Sequence, residues 1–177
     1  MVALIVRPFR TGLTLAAALL LLASPAHAQQ SDPQPSIDEI CHTLAAAAAD
    51  NALPEEFFTR LIGQESSFDP KAVSPMGAQG IAQFMPQTAA LRHLVNAFEP
   101  LQALRESASY LAELRTTFGN LGLAAAAYNA GPNAVEAWIA GRSTALPFET
   151  QAYVRIITGF PAEAWRARRP ALNTPSR

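Results

Sequence analysis

Pro54-Glu55-Glu56-Phe57-Phe58-Thr59-Arg60-Leu61-Ile62-Gly63-Gln64-Glu65-Ser66-Ser67-Phe68 is the run from which the rest of this 177-residue chain can be read. Pro54 suits a first helical turn, and Glu55 and Glu56 sit where the helix dipole is positive. Phe58, Leu61, Ile62 and Glu65 fall at i, i+3, i+4 and i+7, so they share one face. The helix must end by Phe68, because Asp69 precedes Pro70 and is pushed out of the α region. One carboxylate, Glu65, therefore projects from the face that has to meet the core. Ionising an acid there is expensive, so it can keep its proton near neutral pH.

The same periodicity extends outward. Upstream, Ile37, Ile40, Cys41, Leu44 and Ala48 recur at three and four, with Ser36 as N-cap, and Asn51 to Pro54 break the helix. Downstream, Pro70, Pro75, Gly77, Gly80 and Pro86 mark a structured loop, with a short helix starting near Met85 and reaching Leu91. Leu101 to Phe118 is amphipathic, with Leu104, Ala108, Leu111, Leu114 and Phe118 on one side and Gly119 closing it. Leu121 to Ala130 is almost wholly apolar and reads as a buried helix. Val135, Trp138 and Ile139 mark another, stopped at Gly141. Tyr153, Ile156, Ile157 and Phe160 mark the last, ended by Gly159 and Pro161. Alternation with period two is nearly absent, which predicts a mainly α single domain over residues 37–163. Residues 29–36 read as a flexible leader and 164–177 as a loose tail.

Residues 1–28 read as an export signal. Arg7 and Arg10 make a basic start, Leu13 to Ala23 an apolar run, and Ala26-His27-Ala28 a small-residue cleavage site after Ala28. The run is short of the roughly 20 residues a spanning helix needs, and a retained anchor is the alternative. No cysteine follows closely enough to be lipidated. The expected location is periplasmic or otherwise exported. Removing Arg7 and Arg10 from the 13 basic residues leaves 11 against 14 acidic ones, a net of −3. That balance offers no excess of cations for phosphates and argues against nucleic acid as a partner. Nothing in the sequence calls for more than a monomer.

The chemistry centres on Glu65. Cleaving a sugar acetal needs a proton on the leaving oxygen and stabilisation of an oxocarbenium-like centre. Most glycosidases add a second carboxylate, and the nearest here, Asp69, stands before a proline where turn capping is its natural job. Without a second carboxylate the substrate must supply its own nucleophile. Tyr128 and Asn129 interrupt the apolar Leu121 to Ala130 helix and need hydrogen-bond partners if buried. Taken alone, a satisfied core tyrosine is the simpler reading. Ser74 and Gln83 lie in the Gly/Pro loop, where turn chemistry competes with ligand binding. Glu149 and Tyr153, four apart, point the same way. Cys41 reads as a buried free thiol. His42 and His93 are isolated, and neither a metal nor an organic cofactor is indicated.

The order E-S at 65–66, G-I-A-Q-F-M-P at 80–86, A-Y-N-A-G-P at 127–132 and E-T-Q-A-Y-V at 149–154 resembles the soluble lytic transglycosylase domain of the goose-lysozyme-like class. The resemblance runs from about Pro54 to Gly159. It implies a lysozyme-like fold with a substrate cleft and Glu65 as sole acid/base, cutting peptidoglycan between N-acetylmuramic acid and N-acetylglucosamine. The muramoyl C6 hydroxyl would close on C1, giving a 1,6-anhydro end without water. By the same likeness Ser74 would contact an acetamido group, and Gln83 and Met85 would line the cleft. Tyr128 would bond to or orient Glu65 with support from Asn129, Glu149 and Tyr153 would sit across the cleft, and Ser66 would prop the helix end. Ala82 departs from the methionine usual in the family. A hydrolytic muramidase, or a non-catalytic glycan-binding part of a secretion or pilus apparatus, are the alternatives. A secretion system, pilus or flagellum is the implied partner machine.

Overall fold

The computed structural model describes residues 34–169. The expected signal segment, most of the leader and the last eight residues of the expected tail lie outside that range. Among the described residues eight helices follow in order: α1 (Ile37–Asp50), α2 (Glu55–Ser66), α3 (Pro86–Leu91), α4 (Pro100–Phe118), α5 (Leu121–Ala130), α6 (Pro132–Ile139), α7 (Phe148–Thr158) and α8 (Ala162–Ala167). Among the described residues the only β pairing is two isolated bridges, Val73 with Gln79 and Gln79 with Phe84. No described helix is long and apolar enough to cross a membrane.

The helix ends obey local chemistry. Ser36 and Glu39 form a reciprocal capping box at α1. Asn120 caps α5 through the Leu123 amide at 2.9 Å. Helix α5 is the centre of the domain and packs against α4, α6, α7 and α8. Leu123 and the run Ala124–Ala127 are fully buried, so small side chains let four neighbours approach one short rod. Phe58, Leu61 and Ile62 of α2 are also fully enclosed, as their spacing requires.

Some expectations fail. Cys41 is exposed rather than buried, because Thr43, Leu44, Ala47 and Ala48 form the inner face of α1. Ile37 is 79% exposed for the same reason. Phe160 lies beyond the Gly159 cap of α7 and is largely outside the core. Residues 164–167, read as tail, belong to α8. The Trp165 indole donates to Thr158 Oγ1 at 3.0 Å, and its carbonyl accepts from Asn120 Nδ2 at 3.0 Å.

Candidate active site

Helix α2 ends in left-handed turns at Ser67 and Phe68, which release the chain into the Gly/Pro loop directly after Glu65. That loop folds back on itself. Gln79 and Phe84 exchange backbone hydrogen bonds at 2.9 and 3.0 Å, and the Gly80 amide donates to Ala72 O at 2.9 Å. Gly80 has φ +73°, and a Cβ on it would lie 1.9 Å from the Ala97 carbonyl oxygen, so no side chain fits there. Two helices hold the returning strand of the loop by its carbonyls. Ser66 Oγ donates to Ile81 O at 2.7 Å, and Tyr128 Oη donates to Ala82 O at 2.8 Å.

An open groove of 720 Å³ runs between this loop, the C-terminal ends of α2 and α5, and the first turns of α7. Every residue that the sequence pointed to as a contact lines it: Ser74, Gln83, Met85, Tyr128, Asn129, Glu149 and Tyr153, with Glu65 between them. Ser66 is not part of the lining. Asp69 also stands outside it, and its carboxylate accepts from the Lys71 amide at 2.8 Å, the turn-capping role.

Glu65 is partly enclosed, and burial pushes its carboxyl up from 4.5 to about 7. A hydrogen bond from the Tyr153 hydroxyl to Glu65 Oε1 pulls the other way, and the negative charge of Glu149 adds to the rise. Tyr153 is itself buried, which raises its phenol well above the ordinary range and keeps it a donor. The oriented partner of Glu65 is therefore Tyr153 of α7. Tyr128, the expected partner, spends its hydrogen on Ala82 and sits 3.1 Å from Ser107 Oγ. Asn129 Oδ1 accepts from Thr150 Oγ1 at 2.7 Å, tying α5 to α7. Gln83 turns its amide inward onto Gly80 O and Ala72 O at 2.8 and 3.2 Å, while Ser74 Oγ accepts from the Ala78 amide at 3.0 Å. Both residues thus shape the loop as well as lining the groove.

Sequence reasoning missed Phe148, which is 85% exposed on the lip, and Ile156, which extends the Glu149 and Tyr153 face by one further turn. The spacing at 149, 153 and 156 was the available signal. It also missed Ser107, a hydroxyl inside the apolar stripe of α4.

A helical domain with a raised carboxyl lining an open groove defines a class of protein with a candidate acid site. Comparison with known proteins narrows that class. The family model described as "Transglycosylase SLT domain" matches residues 42–149. The chain belongs to this family. The soluble lytic murein transglycosylase of Escherichia coli K12 is 34% identical over 133 residues, covering 62% of this chain and 20% of that protein. The transglycosylase of Enterobacteria phage PRD1 is 34% identical over 91 residues, covering 51% and 34%. The chain thus spans about a fifth to a third of the length of these relatives. Among solved structures, the 70 kDa soluble lytic transglycosylase of E. coli aligns with TM-score 0.59 at 28% identity, over 71% of this chain and 23% of that one. An inactive glutamate-to-glutamine mutant of the lytic transglycosylase Slt from Pseudomonas aeruginosa aligns with TM-score 0.58 at 30% identity, over 66% and 22%. The fold is the mainly helical, lysozyme-like fold of these transglycosylases.

Proposed function

We propose that this chain is an exported peptidoglycan lytic transglycosylase with Glu65 as its single acid/base. The protonated Glu65 carboxyl gives its hydrogen to the glycosidic oxygen between N-acetylmuramic acid and N-acetylglucosamine, and the C1–O bond breaks. The carboxylate left behind takes the proton of the muramoyl C6 hydroxyl as that oxygen bonds to C1. Glu65 is thereby reprotonated, no water is consumed, and a 1,6-anhydro end results. Tyr153 aims the carboxyl, and its hydrogen bond stabilises the ionised form present between the two proton transfers. Ser74, Gln83, Met85, Tyr128 and Asn129 contact the glycan along the groove, Glu149 faces it from α7, and Ser66 fixes the helix end that carries Glu65.

The observation that carries this reading is a carboxyl held up to about 7 in the lining of a partly open groove. The murein named in the relatives and the inactivating glutamate-to-glutamine change in the P. aeruginosa neighbour support it. The carboxylate of Glu149 in the same groove favours a second reading, in which it activates water and the product is hydrolysed. Mass spectrometry of purified sacculi digested with residues 29–177 separates the two, since anhydromuropeptides are one water lighter. The expected products are anhydro ends, with release falling about 10²- to 10⁴-fold in Glu65→Gln. Hydrated ends, or a Glu65→Gln protein as fast as the parent, would overturn the proposal. Export predicts a secreted form whose N-terminus is Gln29. Wall turnover and the opening of gaps for a secretion system, pilus or flagellum would both use this reaction.

A further inference from the structure

The hydroxyl of Ser107 is the one polar group in the buried face of α4, and it is completely shielded from solvent. Its oxygen lies 3.1 Å from the Tyr128 hydroxyl. Donor arithmetic fixes the direction of that bond. Tyr128 has a single hydrogen, and it is given to Ala82 O at 2.8 Å, because a carbonyl can only accept. Ser107 must therefore donate to Tyr128. The result is a one-way chain, Ser107 to Tyr128 to the Ala82 carbonyl, running from α4 through α5 into the loop.

Helix α4 steadies the ring of Tyr128 as well as its hydroxyl. Tyr110, one turn beyond Ser107, lies 5.6 Å from the Tyr128 ring centre and is itself capped by the Arg92 guanidinium at 4.5 Å. Arg92 is pinned by Glu113 at 2.8 Å and by Glu106 at 2.5 Å. The far end of the chain matters to the groove. Ala82 precedes Gln83, which has φ +49° and lines the groove, and follows Ile81, whose carbonyl holds Ser66 beside Glu65.

We propose that Ser107 is a positioning residue for the reaction. By donating to the Tyr128 hydroxyl it strengthens that group's bond to Ala82 and so holds the Ile81–Gln83 wall of the groove in register with Glu65. This rests on the proposed transglycosylase reading for its activity measurement, but the hydrogen-bond chain itself does not. A donor into the Tyr128 oxygen strengthens the bond that oxygen makes onward, so removal is felt at the loop and not only at α4.

The test is a double-mutant cycle on sacculi with Ser107→Ala, Tyr128→Phe and both together. Ser107→Ala is expected to lower kcat/KM about five-fold, the effect of one neutral hydrogen bond, Tyr128→Phe at least as much, and the pair no more than Tyr128→Phe alone. A double variant about five-fold below Tyr128→Phe, or Ser107→Ala at the parent rate, overturns the proposal. Ser107→Cys fills the same space with a poor donor and covers a failure of the alanine variant to fold, with the same loss expected. A merely structural serine would lower the unfolding midpoint and leave the cycle additive. Should the parent release no product, the transglycosylase reading fails alone. The chain is then decided by NMR of tyrosine-labelled protein, where a slowly exchanging Tyr128 hydroxyl proton is expected in the parent and is expected to move upfield in Ser107→Ala as its bond to Ala82 weakens. An unmoved resonance there overturns the proposal.

Discussion

Two tyrosines approach Glu65 from different helices, and their hydroxyls do opposite things. Tyr153 gives its hydrogen to the Glu65 carboxylate, whereas Tyr128 gives its own to the loop backbone. The Tyr153 bond favours the ionised acid, yet burial outweighs it and leaves the carboxyl near 7. Tyr153→Phe removes the opposing effect, so the carboxyl should rise further. The alkaline limb of kcat/KM against pH, where a general acid loses its proton, is expected near pH 7 in the parent and at higher pH in the variant. A limb that stays put or moves down would show that Tyr153 does not set the acidity. The family resemblance made Glu65, Tyr128, Asn129 and Tyr153 legible as a set; on the residues alone only the acid on an apolar face demanded a reason, and the polar pair inside an apolar helix read as a satisfied core. Neither told which tyrosine reaches the acid. Tyr153 lies 88 residues away from Glu65, and the choice depends on how α7 crosses α2 and α5, which no local spacing encodes.

Helices were legible where an apolar stripe ran for several turns. The Leu121–Ala130 helix matches its reading residue for residue, and α4 differs only by beginning at Pro100. Helix α8 escaped because six residues make too few turns to show a period. What holds α8 is tertiary. A Cβ on Gly122 would lie 2.1 Å from Trp165 Cγ, so the indole occupies the space that any other residue in α5 would need. Propensity alone predicts that Gly122→Ala stabilises a helix interior by about 1 kcal/mol. The clash predicts the opposite, a net cost of about 1–3 kcal/mol as the indole is forced away. Urea unfolding followed by tryptophan fluorescence decides the sign. Trp165→Ala should be destabilising too, and the double variant should lose clearly less than the sum of the singles, because the second change relieves the first. Additive losses would mean that the α5–α8 contact is not where the strain lies.

Across the domain, the same buried acid sets a tension between stability and the proposed chemistry. In the unfolded chain Glu65 titrates near 4.5, and in the folded one near 7. Between those values the folded state binds the extra proton, so stability is fully present below about pH 4.5, declines as pH rises, and levels off above 7. The total loss is about 3 kcal/mol, a large share of what a domain of this size possesses. Glu65→Gln keeps an oxygen to accept from Tyr153 but has no charge to bury, so it escapes the decline. Urea midpoints are expected to coincide for the two proteins at pH 4 and to separate at pH 8, with the glutamine variant the more stable. Curves that run parallel across that range would mean that Glu65 is not held protonated by the fold. Divergence in the expected direction would tie the site to the whole domain: the groove keeps a poorly solvated acid that folding alone would discard, and the closely packed helices around α5 supply the stability that offsets it.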